Sequence, residues 1–538
     1  MTVAIRPAAP AAGPVPVAPP APAPPHGGDA HKYLIAVAVV LASMMQVIDT
    51  SIVNVAIPHM MGNLGASLDE IAWVSTGYLL ASVIVIPLTG FLAAFFGRKR
   101  YFVGSIILFT VSSFLCGASG SLGTLVFWRV VQGVGGGALV STSQAVLLEA
   151  FPVEEAATAM ALFGVGIMVG PTLGPTLGGW LTDNWSWPWI FYINVPIGVV
   201  AALMVVAYVH DRGQPRTNRV DYAGIALLAV SAGALQYLLE QGQRDDWFAS
   251  PLITALAVIG IGGSLLLVWR EFTAREPAID FRVLRHRQMW VGTILGVVLG
   301  IGLFGSVFIL PIFLQGTLRM TAWQTGLIIL PGAIATAVSM AISGRITNKF
   351  DPRWTIAVGS ALFFLSMYQL SLVTPDVGAH DFFWPLIWRG LGLGFVFVPL
   401  TTLTLAGLDV RELPQATGQL NFFRQIGGSF GIALMTTLLT HYVQEARATL
   451  AAHVSAYDFA TRSRLDMLTH AFLARGSPGV EAHAQALQVI DLQLVGQANV
   501  IAFGKLYLLS GVILIASVPL LLLLKRPRLT GRAPVLVD

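Results

Sequence analysis

The sequence predicts an all-α integral membrane protein whose fourteen transmembrane helices are arranged as six, two and six. Its 538 residues are 55% hydrophobic and only 11% charged, whereas a soluble domain carries about 25% charged residues. Apolar stretches of about 20 residues, the length that crosses a bilayer, recur along the chain. Several short motifs of the first half also return in the second half.

The apolar stretches define the expected organisation. The predicted spans are 33–57, 71–95, 101–119, 124–149, 155–181, 189–209, 220–241, 251–269, 289–317, 322–344, 354–373, 381–407, 414–442 and 503–524. The expected regions are a disordered Pro/Ala-rich tail (1–31), a six-helix bundle (32–209), two inserted helices with a linker (210–288), a second six-helix bundle (289–524) and a tail (525–538). The second bundle includes a long loop, 443–502, with two helical segments.

Basic residues are concentrated in one of the two alternating sets of loops. That set contains the run from Arg98 to Arg100, the linker arginines and the terminal "KRPRLTGR", while the other set contains few cations, such as Arg244 and Arg319. Because positive loops stay in the cytoplasm, both termini are predicted to be cytoplasmic. The loop 443–502 then lies on the side of the membrane opposite to the cytoplasm. The sequence favours equally two interpretations of it, a long connector or a docking surface for a partner.

Three motif pairs predict the six-two-six arrangement. "FWRVVQGVGGG" of span 4 returns as "LIWRGLGLGF" in span 12, and "GFLAAFFGRKR" of span 2 returns as "SGRITNKFDPR" in span 10. "GPTLGPTLGG" of span 5 is matched by "RQIGGSFG" in span 13. Each pair is offset by eight spans, so two helices, spans 7 and 8, are inserted between two similar bundles. Such bundles suit alternating access around a site near the midplane.

Asp49 is the only acidic or basic residue between Tyr33 and Ile57. A charge at this depth is costly, so it is protonated, paired or functional. Arg129 of span 4 lies at a similar depth by helical rise, and the two are expected to meet. Pairing favours the carboxylate and separation favours its protonation, which is the cycle that proton coupling requires. The alternative is an ion pair that only fixes helix packing.

The glycines and prolines of span 5 predict a bent, tightly packed hinge between the two halves. Gly170, Gly174 and Gly178 are four residues apart and share one helix face, which allows another helix to approach closely. Pro171 and Pro175 remove backbone donors and favour a kink.

These motifs together resemble the major facilitator superfamily, and specifically its fourteen-span drug:proton antiporters of the EmrB/QacA type. "IDTSIVNVAIP" is similar to the family's first-span signature, and "GPTLGPTLGG" to its antiporter motif. The loop motif of the family, which begins here at Gly90 and includes Gly97 and Arg98, usually carries an acid and a basic residue where this chain has Ala94 and Phe95. A charge contact between the halves is therefore absent or supplied elsewhere.

The resemblance implies proton-coupled multidrug efflux, and hence antibiotic resistance, from the bacterial inner membrane. It implies proton coupling at Asp49 and Arg129, with Glu240 at the outer end of span 7 read either as a second coupling acid or as an interfacial acid. It also implies a periplasmic adaptor and an outer-membrane channel as partners. The candidate substrate contacts are Gln46, Asn54, Trp73, Tyr78, Phe422, Phe423 and Arg424.

Two other functions compete with multidrug efflux. One is a dedicated exporter of a single metabolite, lipid precursor or fatty acid, which nothing in the sequence distinguishes from a broad exporter. The other is a membrane-embedded enzyme, which is disfavoured because the chain has no HExxH, GxSxG or GxxxxGK[ST] motif and a single cysteine, Cys116. We therefore expect no enzymatic activity, no cofactor and no metal.

Overall fold

The computed structural model describes residues 29–210, 220–274, 277–347, 349–374, 377–409, 412–455 and 457–524. The long helices are α1 (Asp29–Leu64), α2 (Trp73–Phe96), α3 (Arg98–Gly117), α4 (Leu122–Ala150), α5 (Ala156–Asn184), α6 (Asn194–Tyr208), α7 (Tyr222–Gln241), α8 (Pro251–Thr273), α9 (Arg287–Ile312), α10 (Ala322–Ile346), α11 (Pro352–Ser371), α12 (Phe383–Leu405), α13 (Leu413–Ala452), α14 (Phe459–Ala474) and α15 (Gly479–Ala516). The predicted tails, up to residue 28 and from residue 525, lie outside the described residues.

The helices agree with the predicted spans. In the described part of the chain, thirteen helices are long and apolar enough to cross a membrane. Helix α5 occupies the position of the remaining predicted span, 155–181. Helix α14 belongs to the segment predicted as an exported loop.

Polar residues and glycine determine several helix ends. The Ser121 side chain accepts a hydrogen bond from the Thr124 N–H and so begins α4. Thr321 and Gln324 form a capping box at the start of α10. Gly97, at a φ of 85°, separates α2 from α3 without an intervening loop, and a side chain at this φ would strain the backbone.

Helix packing repeats with the offset that the motifs predicted. The first six helices pack as α1 on α5, α2 on α4 and α3 on α4, and the same pairings return as α9 on α13, α10 on α12 and α11 on α12. The two halves contact each other mainly through α2 with α13 and α5 with α10. We call these two contacts the α2–α13 and α5–α10 interfaces.

The inserted helices α7 and α8 form a hairpin beside the α2–α13 interface. Helix α7 packs on both α2 and α13. Gln241 of α7 donates a hydrogen bond to Thr76 of α2 at 3.3 Å, and Gln236 donates to Ser429 of α13 at 2.9 Å. The hairpin is therefore bonded to both halves of the protein.

The segment 443–502 is largely helical. Helix α13 extends to Ala452, and α14 packs against α15. Helix α15 begins at Gly479, well before the predicted start of the last span at residue 503. Arg447 and Asp491 form an ion pair at 2.6 Å between α13 and α15. Tyr457 and Phe459 are 91% and 82% exposed at the turn before α14, so the segment presents apolar side chains to its surroundings.

Candidate functional site

The carboxylate of Asp49 is fully buried in the middle of α1. Arg129 of α4, also fully buried, donates a hydrogen bond from Nη1 to Asp49 Oδ2 at 2.6 Å. The two residues that the sequence placed at similar depths therefore do meet. Removing one partner of such a pair leaves an uncompensated buried charge, which typically costs about 3–5 kcal/mol.

Two amides bind the other oxygen of the same carboxylate. Gln132 Nε2 and Asn194 Nδ2 donate to Asp49 Oδ1 at 2.9 Å and 3.0 Å. Asn194 also donates to the Ser113 hydroxyl at 3.1 Å, which fixes the amide in place. The carboxylate thus accepts three hydrogen bonds, all from buried donors, and in this conformation its charge is fully satisfied.

The guanidinium of Arg129 is fixed by further hydrogen bonds and by two aromatic rings. Its Nε donates to the Val74 carbonyl of α2 at 2.9 Å, and Nη1 also donates to Gln132 Oε1 at 2.7 Å. It lies over the Tyr78 ring, 4.4 Å from the centroid, and 5.6 Å from that of Phe191. These contacts make the arginine a rigid donor for the carboxylate.

Glycines bring α2 close enough to α4 to form this arrangement. A methyl group on Gly137 would lie 2.6 Å from the Ser82 carbonyl oxygen, and one on Gly133 would lie 2.9 Å from the side chain of Ala81. Gly136 lies directly against the Tyr78 hydroxyl. The motif "WRVVQGVGGG" therefore supplies both the guanidinium and the close helix approach that positions the ring beneath it.

Two residues of this site, Gln132 and Asn194, were not predicted from the sequence. Gln132 follows Arg129 by three positions and so lies on the same face of α4. Asn194 stands alone among apolar residues in "FYINVPIG". Both are amides in apolar surroundings, the signal that already distinguished Asp49, but Asn194 lies far from it in the sequence.

The candidate substrate contacts of the first half are dispersed. Tyr78 is buried beneath Arg129, whereas Gln46 is half-buried in α1. Asn54 is exposed and accepts a hydrogen bond from Ser75 at 3.4 Å. Trp73 is 42% exposed at the start of α2, and its ring lies 5.8 Å from that of Tyr237 in α7.

The candidate contacts of the second half lie together on α13. The rings of Phe422 and Phe423 are 5.4 Å apart, and Phe422 packs against the apolar cluster between α2 and α7. Arg424 is 92% buried and reaches towards α12. The structure therefore does not bring the α13 residues together with Trp73 or Asn54 in one site.

Glu240 lies in the last turn of α7 and is exposed. No hydrogen bond or ion pair joins it to the described residues. Its helix packs on both halves, and no described contact connects the acid with Asp49.

The glycine face of α5 packs against α1. A methyl group on Gly174 would lie 2.5 Å from Ser51 Cβ, and methyl groups on Gly170 and Gly178 would lie 2.6 Å and 2.7 Å from side-chain atoms of α1. The close approach predicted for this face is therefore present, within the first half. The side chains of Pro171 and Pro175 lie outside the described residues.

The loop motif takes part in the contact between the halves. A methyl group on Gly90 would lie 2.7 Å from the Cα of Gln415, so α2 and α13 meet there backbone to backbone. Arg98 forms an ion pair with Glu149 of α4, within its own half. Ala94 and Phe95 offer no charge, and the described contact at this end depends on the glycine.

Comparison with known proteins identifies the family. A family model described as "Major Facilitator Superfamily" matches residues 39–432. The chain belongs to this superfamily. It is 33% identical to the "Multidrug export protein EmrB" of Escherichia coli K12 over 93% of this chain and 96% of that protein. It is 32% identical to the "Fatty acid resistance protein FarB" of Neisseria gonorrhoeae over 91% and 96%.

A solved structure supports the same fold. The crystal structure of the human organic anion transporter MFSD10 (TETRAN) superposes with a TM-score of 0.56 at 13% identity, covering 90% of this chain and 99% of that one. The predicted all-α major facilitator fold and the EmrB-like membership are thus confirmed. The chain is a multi-pass membrane transporter.

Proposed function

We propose that this protein is a proton-coupled antiporter that exports lipophilic or amphipathic compounds by alternating access. The observation that supports this proposal best is the buried Asp49–Arg129 pair in the membrane interior. A charged residue at this depth marks an ion or proton path more often than a structural element. The relatives named for multidrug export agree with this interpretation.

The chemistry of coupling follows from the contacts of Asp49. In the paired state Arg129 and the two amides stabilise the carboxylate, so no proton is held. When α1 shifts relative to α4 within the first half during the transport cycle, the lost hydrogen bonds favour a proton on the carboxyl oxygen. When the pair forms again, the carboxyl group releases that proton on the other side of the membrane. Glu240 is proposed as a secondary acid for protons or cations at the outer end of α7.

Substrate breadth is proposed from the relatives. The names of several include multidrug export, and the partly exposed rings of Trp73, Phe422 and Phe423 provide flat apolar surfaces. A second candidate is a dedicated exporter of one amphiphile, such as a fatty acid, a lipid precursor or another metabolite. It is favoured by the relative named for fatty acid resistance, FarB.

The proposed location is the bacterial inner membrane with both termini in the cytoplasm. The segment 443–502 then projects to the far side. We propose that it contacts a periplasmic adaptor, which would link the exporter to an outer-membrane channel. The exposed Tyr457 and Phe459 at its turn are suitable contact residues.

Efflux of a fluorescent lipophilic compound from energised cells tests the coupling proposal. Wild type is compared with Asp49→Asn at matched expression, with and without a protonophore. We expect the protonophore to stop wild-type efflux and the variant to be inactive. Efflux by the variant at the wild-type rate would assign Asp49 to structure and shift the search for the coupling acid to Glu240.

Co-purification tests the adaptor. Replacing both Tyr457 and Phe459 by Ser should reduce adaptor recovery while the protein still inserts in the membrane. An unchanged adaptor yield, also after shortening 443–502 in a folded variant, would exclude docking on this segment.

A further inference from the structure

The membrane interior of the second half contains cations but no acid. Residues 287–350, 352–374, 382–408, 413–444 and 492–524 include no Asp or Glu. They do include Arg389 and Arg424, which are 94% and 92% buried. Within these helices, neither arginine has an acidic counterpart of the kind that Asp49 provides for Arg129.

Among the described residues, the groups that bind Arg424 are neutral. Nη2 donates to the Thr401 hydroxyl of α12 at 3.2 Å and Nη1 to Asn421 Oδ1 at 3.4 Å. The guanidinium lies 4.7 Å from the centroid of the Phe397 ring. Its Nε is buried and has no acceptor. Two hydrogen bonds near the long end of the normal range and one unpaired donor do not satisfy a buried charge.

A second unpaired donor comes from the other half of the protein. Asn421 Nδ2 donates to Gln144 Oε1 of α4 at 2.7 Å, so Asn421 connects Arg424 to the first half. Gln144 is fully buried, and its own Nε2 has no acceptor. Asn421 thus bonds to two side chains, one from each half, that each carry a buried N–H without a partner. Buried donors are normally paired, and those that are not require an explanation.

We propose that Arg424 and Gln144 bind the carboxylate of a transported lipophilic anion, with Asn421 and Thr401 as supporting polar contacts. The proposal rests on the export function proposed above and specifies its substrate class. A carboxylate supplies acceptors for the unpaired donors and neutralises the buried guanidinium. The ring face of Phe397 lies beside the guanidinium and would contact the apolar chain of the bound anion.

The position of the site fits transport. Asn421 bonds to α4 and Arg424 to α12, so the site spans the contact between the two halves. In this conformation Asn421 holds the halves together, and a rotation that breaks its bonds to Ser141 and Gln144 exposes the donors to an entering anion. A lipophilic cation gains nothing there, because the guanidinium repels it.

Transport in proteoliposomes with an imposed pH gradient tests the proposal. The probes are radiolabelled laurate and lauryltrimethylammonium, which share an apolar chain and differ in the sign of the headgroup. Arg424→Gln should raise KM for laurate roughly tenfold, the expected cost of one lost charge-assisted contact. KM for the cation should change little, and Arg424→Lys should recover part of the laurate transport. Arg389→Gln is the matched control because it removes an equally buried arginine outside the site.

Several results would overturn the proposal. An equal loss for both probes would assign Arg424 to structure, and an unchanged KM for laurate would remove it from substrate binding. The same selective loss in Arg389→Gln would show a general effect of positive charge. If wild type transports neither probe, the export proposal itself fails.

A thermal shift with laurate separates binding from transport. We expect laurate to raise the Tm of the wild-type protein and not that of Arg424→Gln, with each variant compared to itself without ligand. Arg424-dependent stabilisation by laurate without transport would assign the site to a resident lipid and contradict the proposal for a substrate.

Discussion

Arg129 and Arg389 each follow a tryptophan in a corresponding helix of the two halves, yet their surroundings differ. Arg129 binds a carboxylate at 2.6 Å and a carbonyl at 2.9 Å. Among the described residues, Arg389 donates one hydrogen bond, from Nη1 to the Ser306 carbonyl of α9 at 3.5 Å. The repeat therefore fixes where a guanidinium stands but not what it binds. One half holds a group that can take up a proton, whereas the other half remains positively charged.

The largest expected effect comes from removing each arginine in turn. Arg129→Gln leaves Asp49 buried without its cation and should destabilise the protein by about 3–5 kcal/mol. Arg389→Gln leaves no buried acid without a partner among the described residues and should destabilise the protein clearly less. The Tm of the detergent-solubilised proteins measures both. A double variant, Arg129→Gln with Asp49→Asn, should recover stability but not transport. Equal Tm losses in Arg129→Gln and Arg389→Gln would contradict the expected difference between the two arginines.

Placing an acid in the second half should make it resemble the first. Thr401 touches Arg424 at 3.2 Å, so Thr401→Asp introduces a carboxylate that neutralises this guanidinium. We expect laurate transport to fall roughly tenfold, without the loss of Tm expected for Arg129→Gln. Thr401→Asn is the control of similar size. If the acidic variant transports laurate as well as the control does, the positive charge of this half has no role in binding.

A smaller effect is expected at the edge of the Asp49 site. Asn194→Ala removes one of the three donors and leaves Arg129 and Gln132 in place. The cost should be about 1.5–3 kcal/mol in stability, the range for a hydrogen bond to a charged group, with transport reduced but still stopped by a protonophore. Ser113→Ala, which removes the second contact of Asn194 and a hydrogen bond to the Phe191 carbonyl but no donor to Asp49, should have less effect on transport. Complete loss of coupling in Asn194→Ala would make the asparagine an essential part of the proton site.

The smallest effect should come from an Asp–Arg pair outside the bundles. Asp221 begins α7 and accepts from Arg270 Nη2 at 2.6 Å and from the Gly224 N–H at 3.0 Å. Burial opposes its charge, but these hydrogen bonds outweigh burial and hold the pKa of Asp221 below its ordinary value. Its stabilisation is therefore present above that ordinary pKa and is lost as the pH falls through the lowered one.

Thermal unfolding against pH measures this contribution. Wild type should lose slightly more Tm on acidification than Asp221→Asn, and the two should converge in acid. The reverse order would show that the pair does not stabilise the folded hairpin. This pair at the start of α7, in which Arg270 is exposed and the Asp221 side chain is buried, thus gives a reference for the much larger effect expected of the fully buried pair.

The sequence predicted the helices, the repeat and the central ion pair because each leaves a local signal. Apolar length defines a span, and a lone charge such as Asp49 is conspicuous within it. The amides Gln132 and Asn194 were missed because they are uncharged and because their partner lies on another helix. Arg424 follows Asn421 by three positions on one face of α13, but nothing local indicates that Gln144 lies beside them, since only the packing of α4 on α13 brings it there.

The sequence also did not predict which aromatic residues are exposed and which are packed in the core. Trp73 and Phe422 are both apolar residues of spans, but one begins α2 at an exposed position and the other packs beneath α7. Which face of a helix meets its neighbour depends on the tertiary arrangement, and most of these helices have apolar residues on every side. A substrate-contact assignment from residue type alone therefore mixes surface and core positions.

The hairpin of α7 and α8 also determines how the lipid phase can reach the interior. Of the two main interfaces between the halves, α5–α10 is closed by small residues such as Gly344, on which a methyl group would lie 2.6 Å from Ala161 Cβ. The other, α2–α13, is flanked by α7, with Phe422 packed in the cluster beneath it. In this conformation the described residues cover both interfaces from the side, so we expect a compound dissolved in the bilayer to enter from a water-facing end. A photoreactive lipid should label Leu265 on the outer face of α8 and leave Phe422 unlabelled, whereas labelling of Phe422 would reveal a lateral entrance.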